Sequence, residues 1–569
     1  MAGGVKKPIN VFRLGQLGEP KGVFNWRLWF SVLSFGLLGA ARGIDEGLIS
    51  GAFKSKHFQN LIHYDSYSKA EQTNIKANVS SMVLMGSVAG SLFAFFVCDR
   101  IGRLWATRQL CVWWIVGMAI VLGNNGNLGA VYAGRFIAGF GIGQTPVVGP
   151  VYLAEIAPAS IRGLCTCVFT GMVYLGINLA YWSNYGAERG LGSNVAARWM
   201  IPTSLHIMFA TLIFTLSWFQ YESPRYLVKK DRIEDATRVM SKIRRLPEDH
   251  PYVVNEISAI KFAHDTEVAA TKDMTIWGMI KQTLSNKQNL FRLYLTTSVQ
   301  FLSQWSGAGS ITIYAVDLFE ILGVTGGETS LLVTAVFGLV KLFAAILCAL
   351  FLVDVIGRKR SLLLGITLQT ISMIYVAAFL TSQPKLGIDK SYHLPANKKG
   401  VSMGAIAMIY VSGFGWALGW NSMQYLLTSE LFPLNIRAVA TSWAMALHFL
   451  NQYANARAVP NLLEPLNRGG ITPAGTFWSF ACITIIGGAW VWFFVPETAG
   501  RSLEDMGKLF ELPWYKIGRY GNAFAEEQDE VERQAEDEKA DKALHLEHAT
   551  SNTTATLPAL GKRDNVQSV

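Results

Sequence analysis

A short charged string occurs twice in this chain, as Asp99-Arg100-Ile101-Gly102-Arg103 and as Asp354-Val355-Ile356-Gly357-Arg358-Lys359-Arg360, each directly after a long apolar run. Between two consecutive membrane helices such a string has a simple physical reading. The glycine permits a tight turn, the arginines stay in the headgroup layer, and the aspartate can pair with a helix end or with an arginine across the loop. One copy in each half implies a duplicated membrane protein.

The apolar residues are distributed accordingly. Of 569 residues, 51% are hydrophobic and 16% charged, and the hydrophobic ones are clustered rather than dispersed. Runs of about 20 residues, enough to cross about 30 Å of hydrocarbon, recur near 26–50, 77–97, 106–124, 129–150, 163–183 and 199–219. Six more lie near 293–318, 329–353, 361–380, 403–427, 438–462 and 477–495. The first run is too long, and lacks the small-residue cleavage site, to be a removable signal peptide. It is expected to be a retained span.

Charge predicts the orientation. Arg100, Arg103 and Arg108 follow the second span, Arg225, Lys229 and Lys230 the sixth, and Arg358, Lys359 and Arg360 the eighth. The positive-inside rule then places the even-numbered ends, and both termini, in the cytoplasm. The formal net charge of +10 is on this reading a topology signal, and no basic-aromatic interleaving points to nucleic acid. The six cysteines, Cys98, Cys111, Cys165, Cys167, Cys348 and Cys482, fall in or beside apolar runs. Small packing residues are expected there, with neither a disulfide nor a metal.

The predicted organisation is a cytoplasmic segment 1–25, a first set of six helices over 26–219, a cytoplasmic linker over 220–288, a second set over 289–498 and a cytoplasmic tail over 499–569. In the linker, Ile233, Ala236, Val239, Met240 and Ile243 recur at helical spacing and predict short amphipathic helices. The tail carries an acidic run from Glu526 to Glu538 and a Ser/Thr/Asn-rich end, a composition that cannot bury a core.

Several further strings resemble the sugar-porter branch of the major facilitator superfamily. They are Gly134-Arg135 in the fourth span, Pro150-Val151-Tyr152-Leu153-Ala154-Glu155 with Arg162-Gly163, and Glu222-Ser223-Pro224-Arg225. In the second half they are Ser429-Glu430-Leu431-Phe432-Pro433 with Arg437, and Pro496-Glu497-Thr498 with Gly500-Arg501-Ser502-Leu503-Glu504. The resemblance implies an all-α membrane protein with 12 transmembrane helices in two pseudo-symmetric six-helix bundles, the major facilitator fold. It also implies a central substrate cavity and alternating access by rocking of one bundle against the other. Asp99, Arg103, Glu155, Arg162, Glu222, Arg225, Asp354, Arg358, Glu430, Arg437 and Glu497 are the matching gating charges. In the family such pairs hold the inner faces of the bundles together and break when the protein opens inward.

An ionisable group inside a bilayer is expensive and by default functional. Asp45, within Gly43-Ile44-Asp45-Glu46-Gly47, matches the family's glycine-flanked aspartate, and Arg135 matches its arginine partner. A carboxylate that alternates between an arginine-paired, ionised state and an unpaired, protonated state couples conformation to a proton. The alternative is a static ion pair that only staples two helices. Glu46, about 100 degrees further round the helix, is an additional coupling candidate.

The amides that hold a neutral hexose in the family are only partly kept. The fifth-span position is Thr170, and the seventh span keeps Gln304 but has Ser303 and Gly309 where a glutamine and an asparagine are usual. In the tenth span Asn421-Ser422 replaces Gly-Pro and Tyr425 stands at the tryptophan's place. Near mid-membrane Arg42, Lys341 and His448 appear instead, with Gln452 one turn beyond the histidine. A cation at the bilayer centre costs about 2.5 to 3.5 kcal/mol on insertion scales, so these side chains are expected to face the cavity, where arginine and lysine suit a carboxylate. The chain is similar in this to fungal hexuronate and quinate permeases, whose seventh span carries a comparable Gln-Trp-Ser-Gly string.

The expected activity is proton-coupled import of a sugar acid, such as galacturonate or quinate, by a protein of the plasma membrane. A symporter of a neutral sugar or polyol, with Arg42 and Lys341 neutralised by Glu46 or helix ends, and a non-transporting nutrient sensor are the alternatives. The expected partners are the small-molecule substrate, a proton and the lipid bilayer, with the protein a monomer. No enzyme constellation, cofactor motif or metal-ligand spacing is found in the sequence.

Overall fold

The computed structural model describes residues 19–20, 22–158, 161–192, 194–271, 276–348, 358–389, 392, 394–432, 434–497, 510, 512–513 and 515–518, without the side chains of a few residues inside helices. Among the described residues there is no strand.

The first half consists of α1 (Trp26–Gly36), α2 (Leu38–Ala52), α3 (Lys56–Leu61), α4 (Lys69–Ile101), α5 (Arg103–Leu122), α6 (Leu128–Ile142), α7 (Thr145–Ile156), α8 (Arg162–Gly190) and α9 (Ala197–Leu216). Linker helices α10 (Pro224–Lys229), α11 (Ile233–Arg244), α12 (Pro251–Thr271) and α13 (Ile276–Ser285) follow. The second half holds α14 (Lys287–Trp305), α15 (Ala308–Ile313), α16 (Ala315–Ile321), α17 (Gly327–Leu347), α18 (Arg358–Ser382), α19 (Lys399–Leu418), α20 (Trp420–Glu430), α21 (Leu434–Leu462) and α22 (Thr472–Phe494). These elements make twelve membrane spans, six in each half.

Among the described residues nine spans are long and apolar enough to cross a bilayer. The other three depart from that pattern for identifiable reasons. The first is interrupted at Leu37, and the seventh is cut into α14, α15 and α16 at Ser306-Gly307 and at Tyr314, with Gly307 at φ 88°. The eleventh, α21, is continuous but carries His448, Asn451, Gln452, Asn455 and Arg457. The fourth and tenth spans are also interrupted, at 143–144 and at Gly419. The breaks thus fall in spans 1, 4, 7 and 10, the leading helix of each successive unit of three, which is where inverted-repeat transporters place discontinuous helices around a substrate site.

Packing orders these helices by face. In α17, Phe343 is 63% exposed on the lipid side while Lys341 is 2% exposed toward the interior. In α2, Gly39, Gly43 and Gly47 form a stripe at four-residue spacing that lies directly on α8. A Cβ at Gly47 would come within 2.8 Å of the Ile177 carbonyl oxygen, and one at Gly43 would strike the carbonyl of Val173. Small residues at this spacing let two backbones approach closely, as in GxxxG pairs. Arg42, Asp45 and Glu46, on the faces beside and behind the stripe, are all buried. The two halves meet mainly where α4 packs on α21 and α8 on α17.

The two signature turns and the linker share one end of the molecule. Gly102 sits at φ 88° between α4 and α5, and Glu222 closes over the start of α5, accepting from Arg103 N at 3.0 Å and Leu104 N at 3.2 Å. Glu497 repeats the arrangement in the second half, accepting from Arg358 N at 2.7 Å and Lys359 N at 3.1 Å. A carboxylate against the first N–H groups of a helix is favoured by the unsatisfied donors and by the helix dipole, so the sequence duplication recurs as the same bidentate cap. Burial pushes the Glu222 carboxyl up, against the pull of the N–H groups that it accepts. In the linker, α11 buries Ala236, Met240 and Ile243 of the predicted apolar set, while Ile233 is exposed. Arg244 ties the linker to the core, pairing with Glu256 at 2.6 Å and donating to the Ile156 carbonyl at 2.9 Å.

Among the described residues all six cysteines are free thiols, four of them buried. Asp354, the acidic end of the tail and the side chains of Tyr425, Glu430 and Arg437 lie outside what the structure describes.

Candidate functional site

Between the halves, at mid-depth, lies a narrow cavity of about 10 Å³, room for about one water. The sequence-derived candidates Arg42, Gln304, Gly309, Lys341, Asn421 and Gln452 line it, together with Glu46, Val173, Tyr174, Ile177, Thr312 and Trp416. Thr170 is half-buried two turns before Ile177 on α8 and is not among the lining residues.

Arg42 and Glu46 are one turn apart on α2 and meet as a buried pair at 2.8 Å. Gln452 of α21 donates to the same Glu46 oxygen at 2.8 Å, so the pair is bound across the interface of the halves. Lys341 lies against the opposite wall. Its Nζ donates to the Thr312 hydroxyl at 2.6 Å and sits 5.4 and 5.3 Å from the ring centroids of Tyr174 and Phe337. Among the described residues no carboxylate is within ion-pair distance of Lys341, whereas Arg42 is matched by Glu46. The hydroxyl of Tyr181 in turn donates to the Thr312 carbonyl at 2.6 Å. Taken together, Arg42, Glu46 and Lys341 leave one net positive charge on the cavity wall.

Amides fill the second-half side. Ser303 donates to Gln424 Oε1 at 3.0 Å, and Gln304 Nε2 is 3.4 Å from the same oxygen. His448 Nδ1 lies 3.0 Å from Gln300 Oε1 and 3.3 Å from Gln304 Nε2, so its tautomer decides which amide it pairs with. Asn421 Nδ2 is buried without a hydrogen-bond partner in the cavity wall. At Gly309 a Cβ would meet Gln304 Oε1 at 3.5 Å, so the glycine keeps that wall recessed. The sequence reading passed over Gln300, Thr312 and Gln424; polar residues amid apolar helix, one or two turns from chosen candidates, were the available signal.

Away from the cavity, Asp45 of α2 and Arg135 of α6 form a second buried ion pair at 3.2 Å. Glu46 faces the cavity while Asp45 faces α6, as their adjacent positions on a helix require. The two acidic neighbours therefore serve different pairs.

The gating candidates divide likewise. Arg103 holds Glu155 through two bonds, 2.9 and 2.7 Å, and Asp99 pairs with Arg103 at 3.2 Å and Lys229 at 2.8 Å. Arg162 and Arg225 are exposed at this end. All these pairs lie within the first half or between it and the linker. The opposite end carries charges that the sequence reading did not single out. Lys54, beyond α2, bonds Asp317 at 3.2 Å and Glu320 at 2.6 Å, and Lys76 of α4 bonds Asp317 at 2.5 Å. These join the two halves. Burial works against the Lys54 ammonium, but Asp317 and Glu320 outweigh it and hold the pKa above the ordinary lysine value.

Twelve helices in two halves, broken helices at mid-depth and a polar cavity at the interface define a multi-pass membrane transporter of the major facilitator fold. Comparison with known proteins gives the family. A family model described as "Sugar (and other) transporter" matches residues 32–510, and the chain belongs to that family. It is 31% identical over 494 residues to a protein of Aspergillus niger named "Probable quinate permease", covering 86% of this chain and 89% of the relative. To the "Quinate permease" of Emericella nidulans it is 29% identical over 496 residues, 86% of this chain and 90% of the relative. Among solved structures, the proton:xylose symporter XylE bound to 6-bromo-6-deoxy-D-glucose superposes with a TM-score of 0.70 at 21% identity, over 85% of this chain and 99% of that one. XylE from E. coli in its inward open conformation gives 0.65 at 20% identity, over 85% and 99%.

Proposed function

We propose that this sugar-porter transporter imports a carboxylated cyclic polyol or sugar acid, quinate or a galacturonate-like hexuronate, together with a proton. The observation that carries the substrate class is Lys341: a buried ammonium held by a neutral hydroxyl and two aromatic faces, beside an Arg42 already matched by Glu46. Such a charge is costly in the bilayer, and an anionic ligand offsets that cost while gaining a charge-assisted bond. Asn421 Nδ2 supplies a second donor in the same wall, suited to a hydroxyl or the second carboxylate oxygen. The quinate permeases among the relatives carry names that fit this chemistry.

Coupling is assigned to Asp45 and Arg135, with Glu46 engaged at the cavity. Protonation of Asp45 would release Arg135, and the cavity can admit a ligand only when the halves part, since ligand pockets are typically about 300 Å³ or more. On this reading the linker end is cytoplasmic, the protein lies in the plasma membrane, and the Lys54–Asp317–Lys76 cluster is an outer latch that opens as the inner end closes. The test is uptake, in transport-deficient yeast, of labelled quinate, galacturonate, glucose and xylose side by side with a protonophore control. Saturable acid uptake that the protonophore abolishes is expected. Full competition by glucose would make the protein a neutral-sugar symporter.

A further inference from the structure

Behind the Asp45–Arg135 pair stands a histidine that sequence patterning does not single out. His206 of α9 is 0% exposed. Its Nδ1 accepts a hydrogen bond from the indole Nε1 of Trp114 on α5 at 3.0 Å, with the rings edge to face. An indole nitrogen can only donate, so this bond requires a lone pair on Nδ1. The ring proton is thereby placed on Nε2. That atom points at Asp45 Oδ1, 3.9 Å away, too far for a hydrogen bond. His206 Nε2 and Arg135 Nε are buried without a hydrogen-bond partner, and Asp45 Oδ1 accepts no hydrogen bond, though Arg135 Nη2 stands 3.2 Å from it in the ion pair. Among the described residues the charged groups acting on His206 are Asp45 of α2 and Arg135 of α6, and α5 contributes only the uncharged Trp114.

Buried polar atoms without partners are rare and each calls for an explanation. Here an unpartnered donor faces a carboxylate oxygen held only by its ion pair with Arg135, about 1 Å beyond bonding reach. We propose that His206, fixed by Trp114 in its Nε2–H tautomer, is a positioning residue that receives Asp45 when the aspartate leaves Arg135. Asp45 takes its proton from solvent, and the neutral carboxyl swings toward α9. Its carbonyl oxygen then accepts the Nε2–H, and on deprotonation the carboxylate returns to Arg135. His206 neither gains nor loses a proton, because protonating Nδ1 would break its bond with Trp114. The pairing gives Asp45 a hydrogen bond in both conformations, so the unpaired state is not an orphaned buried group.

The inference rests on the reading of Asp45 as the coupling residue, and the test separates the two. Replacing His206 alone by leucine would strand the Trp114 N–H, so the deletion is made as the pair Trp114→Phe with His206→Leu, which leaves no unpaired donor. In proteoliposomes of the full chain, uphill quinate uptake driven by a proton gradient and quinate counterflow at equal pH are measured together. The double variant is expected to lose about tenfold in uphill uptake while its counterflow stays within about twofold of wild type. His206→Gln, whose carbonyl can accept from Trp114 and whose amide can donate to Asp45, is expected to retain uphill uptake with an unchanged pH profile. Full uphill uptake by the double variant, or an equal loss of counterflow, would overturn the positioning role. A His206→Gln protein whose pH profile flattens would show that the histidine itself titrates, which also overturns it. Asp45→Asn run in parallel distinguishes the failures: if that variant still accumulates substrate, the coupling reading falls as well, and if it does not, only the role of His206 is at stake.

Discussion

Replacing Lys341 by glutamine removes the cavity cation that has no carboxylate partner among the described residues, while leaving a side chain able to bond Thr312. The net charge contributed by Arg42, Glu46 and Lys341 falls from one positive to zero. A hydrogen bond to a charged group is worth about 1.5 to 3 kcal/mol, and each 1.4 kcal/mol is about tenfold in affinity. The half-saturation concentration for a sugar acid should therefore rise by about 10- to 100-fold. A coulombic ceiling is consistent: two unit charges at 4 Å interact by about 4 kcal/mol at an effective dielectric of 20, before the cost of desolvating both. A neutral sugar makes no such bond, so its transport should change by no more than about threefold. The assay is initial-rate uptake of labelled quinate and glucose by cells expressing matched surface amounts of wild type and Lys341→Gln. Competition by quinate and by its uncharged lactone gives the same contrast without mutagenesis, since a carboxyl with a pKa of about 4 is ionised at most working pH values. An unchanged half-saturation for the acid, with lactone competing as well as quinate, would refute the reasoning. Lys341 would then be a structural cation held by Thr312 and the two rings.

Three further outcomes follow from the same geometry. Asp45→Asn should abolish accumulation against a gradient but keep exchange of labelled substrate across the membrane; undiminished uphill uptake would remove Asp45 from coupling. Asp317→Asn removes the carboxylate shared by Lys54 and Lys76, partly exposed pairs worth about 1 kcal/mol. It should raise the labelling of a cysteine placed in the cavity by an impermeant reagent about fivefold, and unchanged labelling would mean that the cluster is not a latch. Gly43→Val would drive a branched side chain into the Val173 carbonyl, an overpacking typically worth about 1 to 3 kcal/mol or more against backbone. The expected readout is a lower melting temperature in detergent, and a wild-type melting curve would show that α2 and α8 can part without cost.

What the sequence disclosed and what it hid have separable causes. Spans and the duplicated turn were legible because a bilayer imposes one length and one polarity on every crossing helix, whatever lies beside it. Arg42, Asp45, Glu46 and Lys341 were legible for the complementary reason: charge at that depth has few explanations other than function. The breaks at Leu37 and Tyr314 were not, because neither residue is a strong helix breaker and the interruption is set by packing around the cavity. Trp114 and His206 were invisible for a subtler reason. A tryptophan in an apolar run reads as packing and a lone histidine as a satisfied core residue, and only the 3.0 Å bond between them, with Nε2 left facing Asp45, gives either a role. The cluster at the end away from the linker was missed because Lys54, Lys76 and Asp317 sit at span ends, where charge is ordinary.

The placement of these charges also bears on how the two ends alternate. At the linker end the described pairs, Arg103 with Glu155 and Asp99 with Lys229, stay on one side of the interface, and Glu222 and Glu497 cap their own helices. At the other end Lys54 and Lys76 reach across to Asp317 and Glu320. Among the described residues, the cross-half charge pairs thus lie at the end away from the linker. The central cavity joins the two halves through shared residues. Glu46 is gripped by Arg42 from its own helix and by Gln452 from the facing half, while Lys341 and Tyr181, from opposite halves, meet on the same residue, Thr312 of α15. On the proposed function, a ligand carboxylate that draws Lys341 away from the Thr312 hydroxyl would act on the residue whose carbonyl holds Tyr181 of the first half. On that reading the broken seventh span is the element that would connect the cavity to the Lys54–Asp317–Lys76 cluster, because Thr312 and Asp317 stand only five residues apart in it.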